Sequence, residues 1–287
     1  MGGYFSIRLL FFLSGFGACT KNESAPLLPV PQAVFDSVPA SRTLTPLVSE
    51  ISGIADSKTA PQHLWGIEDS GNPPQLYQVK YDGTVTKKVY LKGAVNVDWE
   101  EMGRAGNDLY IGDIGDNNLR YTEHAIYKFE EPATSTDTVF TFDKIRFNYP
   151  DGPHNAEAFF VLPDTKDIYI ITKQNAPAGV YKIAFPYLTT GVTTATLVTT
   201  LDYSSVVSAA LSVDGNELIV KTYTNLYYYK RKDQTIEQML QTKGEVLPYK
   251  IEPQGEAVTF ALNNSGFFTL SEKGLASTVN LYFYKRK

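Results

Sequence analysis

From Ile51 to Lys287 the chain is a succession of short apolar runs, many alternating with polar residues, each closed by Gly, Asp, Asn or Pro. Such runs predict antiparallel strands, and the amphipathic helices of roughly 10–15 residues that a parallel α/β sheet needs are missing. The runs repeat in a fixed order. ISGIADS, LWGIEDSG, LYQVKYDG and VTKKVYLKG form one unit, and DWEEMGRAG, LYIGDIGDN, AIYKFEEP and TFDKIRFNYP a second. A third reads AEAFFVLPD, DIYIITKQN, GVYKIAFP and ATLVTTLDY. A fourth, SAALSVDG, ELIVKTYT and NLYYYKRK, ends in a less regular outer strand expected around Glu237 to Leu247. The fifth is GEAVTFALNN, GFFTLSEKG and VNLYFYKRK. A tyrosine-bearing strand is the third part of each unit, as in Tyr77, Tyr127, Tyr181, Tyr227 and Tyr282.

Aligning Ser52, Glu101, Glu157, Ser208 and Glu256 gives spacings of 49, 56, 51 and 48 residues. Repeats of this length with four strands each predict an all-β fold, a five-bladed β-propeller of four-stranded antiparallel blades over residues 40–287. A six-bladed ring, with a degenerate blade between Thr189 and Leu247, is the alternative. The fifth unit has only three strands, and the segment Arg42 to Val48 stands before the first unit without a partner. It is expected to close the ring as the missing outer strand, leaving Pro46 on an edge where its lack of an N–H does little harm.

The stretch before the repeats differs in kind. Arg8 precedes the apolar run Leu9 to Leu13, which is too short for a membrane span and suits a secretory signal. With Gly17 and Ala18 leading to Cys19, residues 1–18 resemble a bacterial lipoprotein signal, which implies lipidation of Cys19 and an outer-membrane or cell-surface location. Cys19 is the single cysteine among 287 residues, so no disulfide can form within the chain. Residues 19–39, polar and proline-containing, are expected to be a flexible tether. Removal of the signal takes the formal charge from −5 to −6 through loss of Arg8, a balance unsuited to nucleic acid. A monomer is expected.

Candidate chemistry gathers at one end of the ring. In a propeller the loops before first strands and after second strands share a face, so Ser52, Glu101, Glu157, Ser208 and Glu256 should meet Glu68, Asp69, Asn72, Asp113, Asp116, Lys173, Gln174, Lys221 and Glu272. The stretch Asp98 to Asn117, DWEEMGRAGNDLYIGDIGDN, supplies acids at both ends of one hairpin. So many carboxylates on one axis repel unless something separates them. A hard cation such as Ca2+ can do so, with ligands drawn from Glu101, Glu157, Glu256, Asp69, Asn72, Asp113 and Asp116. Alternatively Lys173 and Lys221 neutralise them, or the glutamates hold neighbouring blades together through hydrogen bonds. The opposite face is expected to carry hairpin turns and little else. No zinc motif, nucleophile elbow, phosphate loop or dinucleotide fingerprint occurs, so no nucleotide or organic cofactor is expected. Glu157 and His154 are the candidates for proton transfer.

The phrases GIADS, LWGIEDSG, DWEEM, LYIGDIGDN, IYKFEEP, AALSVDG, GEAVTF and SEKG resemble a group of secreted bacterial propellers, distantly similar to the phytase-esterase-like, gluconolactonase-like and NHL-type propellers. In the calcium-dependent hydrolases among these, an inner-strand Glu with Asn or Asp from other blades holds an ion in the channel. The resemblance implies the same places here. Two readings follow: a lipoprotein whose propeller face binds a small ligand or protein partner, or a calcium-dependent hydrolase of a lactone, ester or phosphoester. A glycoside hydrolase built on two of the carboxylates is a third.

Overall fold

The computed structural model describes residues 33–173 and 176–287. The expected export signal, Cys19, most of the expected tether and Gln174 lie outside the described residues. The repeats form the five expected blades. After β1 (Ala40–Thr43), blade 1 runs outward as β2 (Ile51–Asp56), β3 (His63–Glu68), β4 (Gln75–Lys80) and β5 (Val85–Leu91). Blade 2 is β6 (Trp99–Ala105), β7 (Asp108–Asp113), β8 (His124–Glu130) and β10 (Asp143–Asn148), with β9 (Thr138–Val139) on the way. Blade 3 is β11 (Ala156–Val161), β12 (Ile168–Thr172), β13 (Ala178–Ile183) and β15 (Thr196–Leu201), interrupted by β14 (Val192–Thr194). Blade 4 is β16 (Val206–Leu211), β17 (Glu217–Thr222), β18 (Leu226–Lys230) and β19 (Glu245–Leu247). Blade 5 is β20 (Gln254–Phe260), β21 (Gly266–Glu272) and β22 (Asn280–Lys285), completed by β1.

The first strands β2, β6, β11, β16 and β20 pack side by side around the axis. Each blade buries both faces, so the core is divided into apolar layers between neighbouring blades. Trp65, Trp99 and Tyr127 fill the layer between blades 1 and 2, and Phe160 stacks on Tyr169 at 5.2 Å between blades 3 and 4. This explains why first and second strands read as continuous apolar runs while outer strands alternate.

The blade edges are more elaborate than four strands each. On its way from β8 to β10 the chain pairs β9 in parallel with β5, and from β13 to β15 it pairs β14 in parallel with β10. Blades 2 and 3 thus each cover the exposed edge of the blade before them, which removes a template for aggregation. In blade 4 the corresponding stretch is a helix, α1 (Ile236–Leu240), where an outer strand was expected. Thr235 accepts from the Gln238 N–H and the Gln238 side chain accepts from the Thr235 N–H, a capping box that starts the helix. Its buried Ile236, Met239 and Leu240 join the layer between blades 3 and 4. Only Glu245–Leu247 of the expected outer strand is extended.

Ring closure uses β1, paired antiparallel with β22 from Ala40 opposite Phe283 to Thr43 opposite Asn280. The closing strand starts two residues earlier than the expected Arg42 to Val48 and ends at Thr43, so Pro46 lies beyond it and not on its edge. Beyond it Leu44 and Val48 are buried, and Thr45 bridges to Thr84 of blade 1. Gly83 has φ +90° and lies against the Thr43 carbonyl, where a Cβ would collide with backbone. The folded unit begins at Ala33, so the end of the expected tether belongs to the propeller. Phe35, 1% exposed, sits edge-on to Tyr228 and Phe267 at 5.6 and 4.9 Å, with Arg286 across its ring. Phe35→Ala should therefore lower unfolding stability by about 3–5 kcal/mol in urea titrations, as deletion of a buried aromatic does. An effect under about 1 kcal/mol would mean that the segment merely rests on the surface.

Candidate functional site

The pairing of first and second strands slips at one equivalent place in every blade. The extra residue of each bulge is Ser52, Glu100, Glu157, Val207 or Glu256. A bulge re-aims one side chain and kinks the strand, and the inner strands use it near the mouth of the channel. Glu101 and Ser208 are therefore one residue out of register with the other three repeat positions. The Glu100-Glu101 doublet hides this slip from any alignment by residue type.

Glu101 crosses the channel. It is fully buried on blade 2, and its carboxylate accepts from the Ser208 hydroxyl and, at 2.9 Å each, from the Ala209 and Met102 N–H groups. Ser208 in turn accepts from Val258 N–H of blade 5 at 3.1 Å, while Ser52 of blade 1 donates to the Trp99 carbonyl at 2.9 Å. One carboxylate thus links blades 2 and 4, with blades 1 and 5 joined through its neighbours. Burial pushes its pKa well up, against the pull of these donors.

Above this lock lies a crowd of acids. Asp69 follows β3, Asp98 precedes β6, and Glu100 is the bulge residue of β6; carboxylate oxygens of the three lie within 4.8 Å of one another. Trp99, fully buried between Asp98 and Glu100, anchors both against the blade interface. Gly115 provides the wall beside them, where a Cβ would strike the Asp98 and Glu100 oxygens. Glu100 is 6% exposed, and among the described residues no hydrogen-bond donor reaches its carboxylate. Burial raises its pKa well above the usual range, and Glu157 is the charged neighbour that adds most to this. Asp98 is pushed up to about 7 by burial and by Asp69.

Glu157 and Glu256 share the mouth. Lys173 bonds Glu157 through its Oε1 and donates to Tyr223 at 2.9 Å, and Tyr223 donates to Glu256 at 2.6 Å. Glu157 Oε2 is buried and, among the described residues, has no partner. Burial pushes Glu157 up to about 8 against the pull of Lys173, with Glu256 adding repulsion. Glu272, which accepts from Gln254 at 2.9 Å, is pushed up to about 9 by burial and by Glu256.

The remaining sequence candidates have other partners. Asp113 accepts from the Val97 and Asp98 N–H groups at 3.2 and 2.8 Å, and Asp116 from Arg120 and Tyr121 at 2.8 Å each. Both acids hold loops. Asn72 donates to Glu50 at 2.6 Å on the exposed rim. Lys221 is buried between blades 4 and 5, 2.9 Å from Glu252 and 4.2 Å from the centre of the Tyr249 ring, with its pKa lowered by burial. It compensates Glu252 rather than the channel mouth. His154 faces Asp151 at 3.0 Å and Tyr181 at 2.9 Å. Asp98 and Glu100 belong to the acids at the entrance of the Asp98–Asn117 hairpin but not to the ligand candidates above, because nothing in DWEE marks the bulge that selects Glu100 over Glu101.

No protein-family model matches the chain, and no curated protein does. Solved structures do. A luciferin-regenerating enzyme aligns with TM-score 0.52 and 9% identity over 86% of this chain and 95% of its own. A chain of a nidogen/laminin complex aligns at 0.49 and 10%, over 78% and 72%. The structural neighbours are β-propellers. The likeness is one of fold.

The two adjacent glutamates should behave oppositely. Glu101→Gln places an amide N–H against donors and should cost about 3 kcal/mol or more in unfolding titrations. Glu100→Gln removes a carboxyl that must either hold a proton or repel its acidic neighbours, and should raise the melting temperature in chelator. In chelator the raised acids should also make stability fall with pH. Their contribution is fully present below the unfolded carboxylate pKa of about 4 and is lost as pH climbs through the folded values of about 7, 8 and 9 for Asp98, Glu157 and Glu272. Melting temperatures in EDTA that rise between pH 5 and pH 9 would contradict this charge balance.

Proposed function

We propose that this is an exported, lipid-anchored propeller that holds a divalent cation at its channel mouth and uses it to bind a small ligand or protein partner. Glu100 carries the reading. A carboxylate that is buried, without a donor among the described residues, and clustered with Asp69 and Asp98 is costly to charge, and a counter-ion removes that cost where a proton otherwise must. The orphaned Glu157 Oε2 and the Gly115 wall support the same fit. Two oxygens bound to one Ca2+ at 2.3–2.6 Å are at most about 5 Å apart, the spacing this cluster offers. An all-oxygen donor set favours a hard cation of that type over zinc or copper.

Asp69, Asp98 and Glu100 would hold the ion, with Glu157 and Glu256 across the mouth. When bound, the ion supplies a Lewis-acidic point for an oxygen of the ligand. Lys173 and Tyr223 keep Glu157 and Glu256 oriented from the far side. Binding is favoured over hydrolysis because both proton-transfer candidates are already engaged, Glu157 with Lys173 and His154 with Asp151 and Tyr181.

Calorimetric titration of the metal-stripped protein with Ca2+ should show one saturable site per chain. The folded state should gain about 2.7 kcal/mol at free ion 100 times the dissociation constant. Glu100→Gln and Asp98→Asn should abolish the gain, while Asn72→Ala on the rim should leave it. Absence of saturable binding by calcium, magnesium, manganese and zinc would reject the metal. Calcium-dependent turnover of esters or lactones, lost in Glu100→Gln, would replace binding by hydrolysis.

The anchor rests on the sequence around Cys19. Cys19→Ser should release the protein from membranes and remove its lipid mass, since each buried CH2 of an acyl chain contributes about 0.8 kcal/mol. Unchanged fractionation of this variant would rule out Cys19 as the attachment point.

A further inference from the structure

The lock at Glu101 divides the channel into two compartments of opposite character. On the side away from the acids, the face expected to carry only hairpin turns opens into a cavity of about 380 Å³. Its floor is Met102, Ala209 and Val258, the residues next to the lock, and its walls include Phe159, Leu211 and Phe260. Phe159 is fully buried and Phe260 is 3% exposed, so these walls are fixed by blade packing. The size falls in the range of small-molecule sites, roughly 300–1,000 Å³. Apolar walls hold water poorly, and a cavity of this kind gains from an apolar occupant.

The rim decides the polar end of that occupant. Arg104 is committed to Glu131 at 2.7 Å and to the Asp56 carbonyl at 2.9 Å. Asp56 accepts from Tyr81, Ser57 and Leu262 N–H, and Ser212 donates to Asp214 at 2.6 Å. Lys58 differs from all of these. Its ammonium donates only to the neutral Asn107 amide at 2.7 Å and, among the described residues, pairs with no carboxylate. The uncommitted charge at the mouth of an apolar cavity is therefore positive.

We propose that this lower compartment binds a medium-chain aliphatic carboxylate, its chain against Phe159, Leu211 and Phe260 and its carboxylate at Lys58. The site is separate from the acidic mouth and independent of any ion there. Val213, 55% exposed, stands at the rim and can be enlarged without disturbing a blade.

The test is calorimetric titration of the full chain, in chelator at pH 8, with decanoate below its micelle concentration, decanol and decyltrimethylammonium. Decanoate should bind one per chain, decanol about tenfold more weakly, and the cation not at all. Lys58→Met should bring decanoate down to the level of decanol, leaving decanol unchanged. Val213→Trp, with its melting curve checked for an intact fold, should weaken both at least tenfold. The proposal is overturned if decanoate shows no saturable binding, if Val213→Trp leaves its affinity intact, or if Lys58→Met leaves the decanoate-to-decanol ratio unchanged.

Discussion

A single carboxylate placed across the axis is the constraint on which the centre of this ring depends. Inner strands of a propeller diverge from the axis, and each presents backbone N–H groups to the channel that neither the blade nor water in a narrow interior can fully satisfy. Glu101 answers several of these at once, with its own Met102 N–H, the Ala209 N–H and the Ser208 hydroxyl as donors. Displacement of Glu101 would leave groups unpaired on blades 2 and 4, and would free the Ser208 hydroxyl that accepts from Val258 of blade 5. Gly53 shows how tight the assembly is: a Cβ there would come within 2.8 Å of the Glu101 backbone. Burial of so many polar groups is tolerable because the network is complete.

That completeness makes the incomplete cluster above it informative. Glu100 and Glu101 are adjacent in sequence and similarly buried, yet one has three donors and the other none among the described residues. Burial alone does not separate a structural from a ligand-seeking carboxylate. The bulge does, because it turns Glu100 toward Asp98 and Asp69 while Glu101 stays in the ladder facing Gly112.

Periodicity made the architecture legible. The tyrosine strands, the unit length and the orphan strand before Ile51 led to five blades and to closure by the N-terminal segment, because each depends on patterns that recur within the chain itself. What escaped was local. A bulge changes which side a residue faces without altering the residue types around it, so Glu100 and Glu101 could not be told apart. Phe35 looked like part of a tether because its partners, Tyr228, Phe267 and Arg286, are far away in sequence. The helix at Ile236–Leu240 was readable from Thr235 and Gln238 and was obscured by the expectation of a fourth strand. Asp113 and Asp116 have the composition of ligands, but their backbone donors decide their use.

A site carrying this many like charges must be held by parts of the fold that do not share its cost. Asp98 and Glu100 flank Trp99, whose ring is locked in the layer between blades 1 and 2 and whose N–H donates to the Val95 carbonyl at 3.2 Å. The loop behind them is fixed by Asp113 and by backbone bonds from Ile114 and Gly115 to the Asp98 carbonyl, at 3.2 Å each. None of these contacts changes if the acids gain a proton or an ion, so the carboxylates stay in place in either state. A cluster that could relax would spread apart and lose its affinity, whereas one fixed by an aromatic anchor keeps its repulsion until a counter-ion arrives. The lower compartment follows the same logic with the opposite chemistry, because its aromatic walls are set by the blades and cannot collapse onto the axis. Between them Glu101 is fully buried with each of its bonds made to protein, so the acids at the upper mouth and the apolar half are set apart by a completed network.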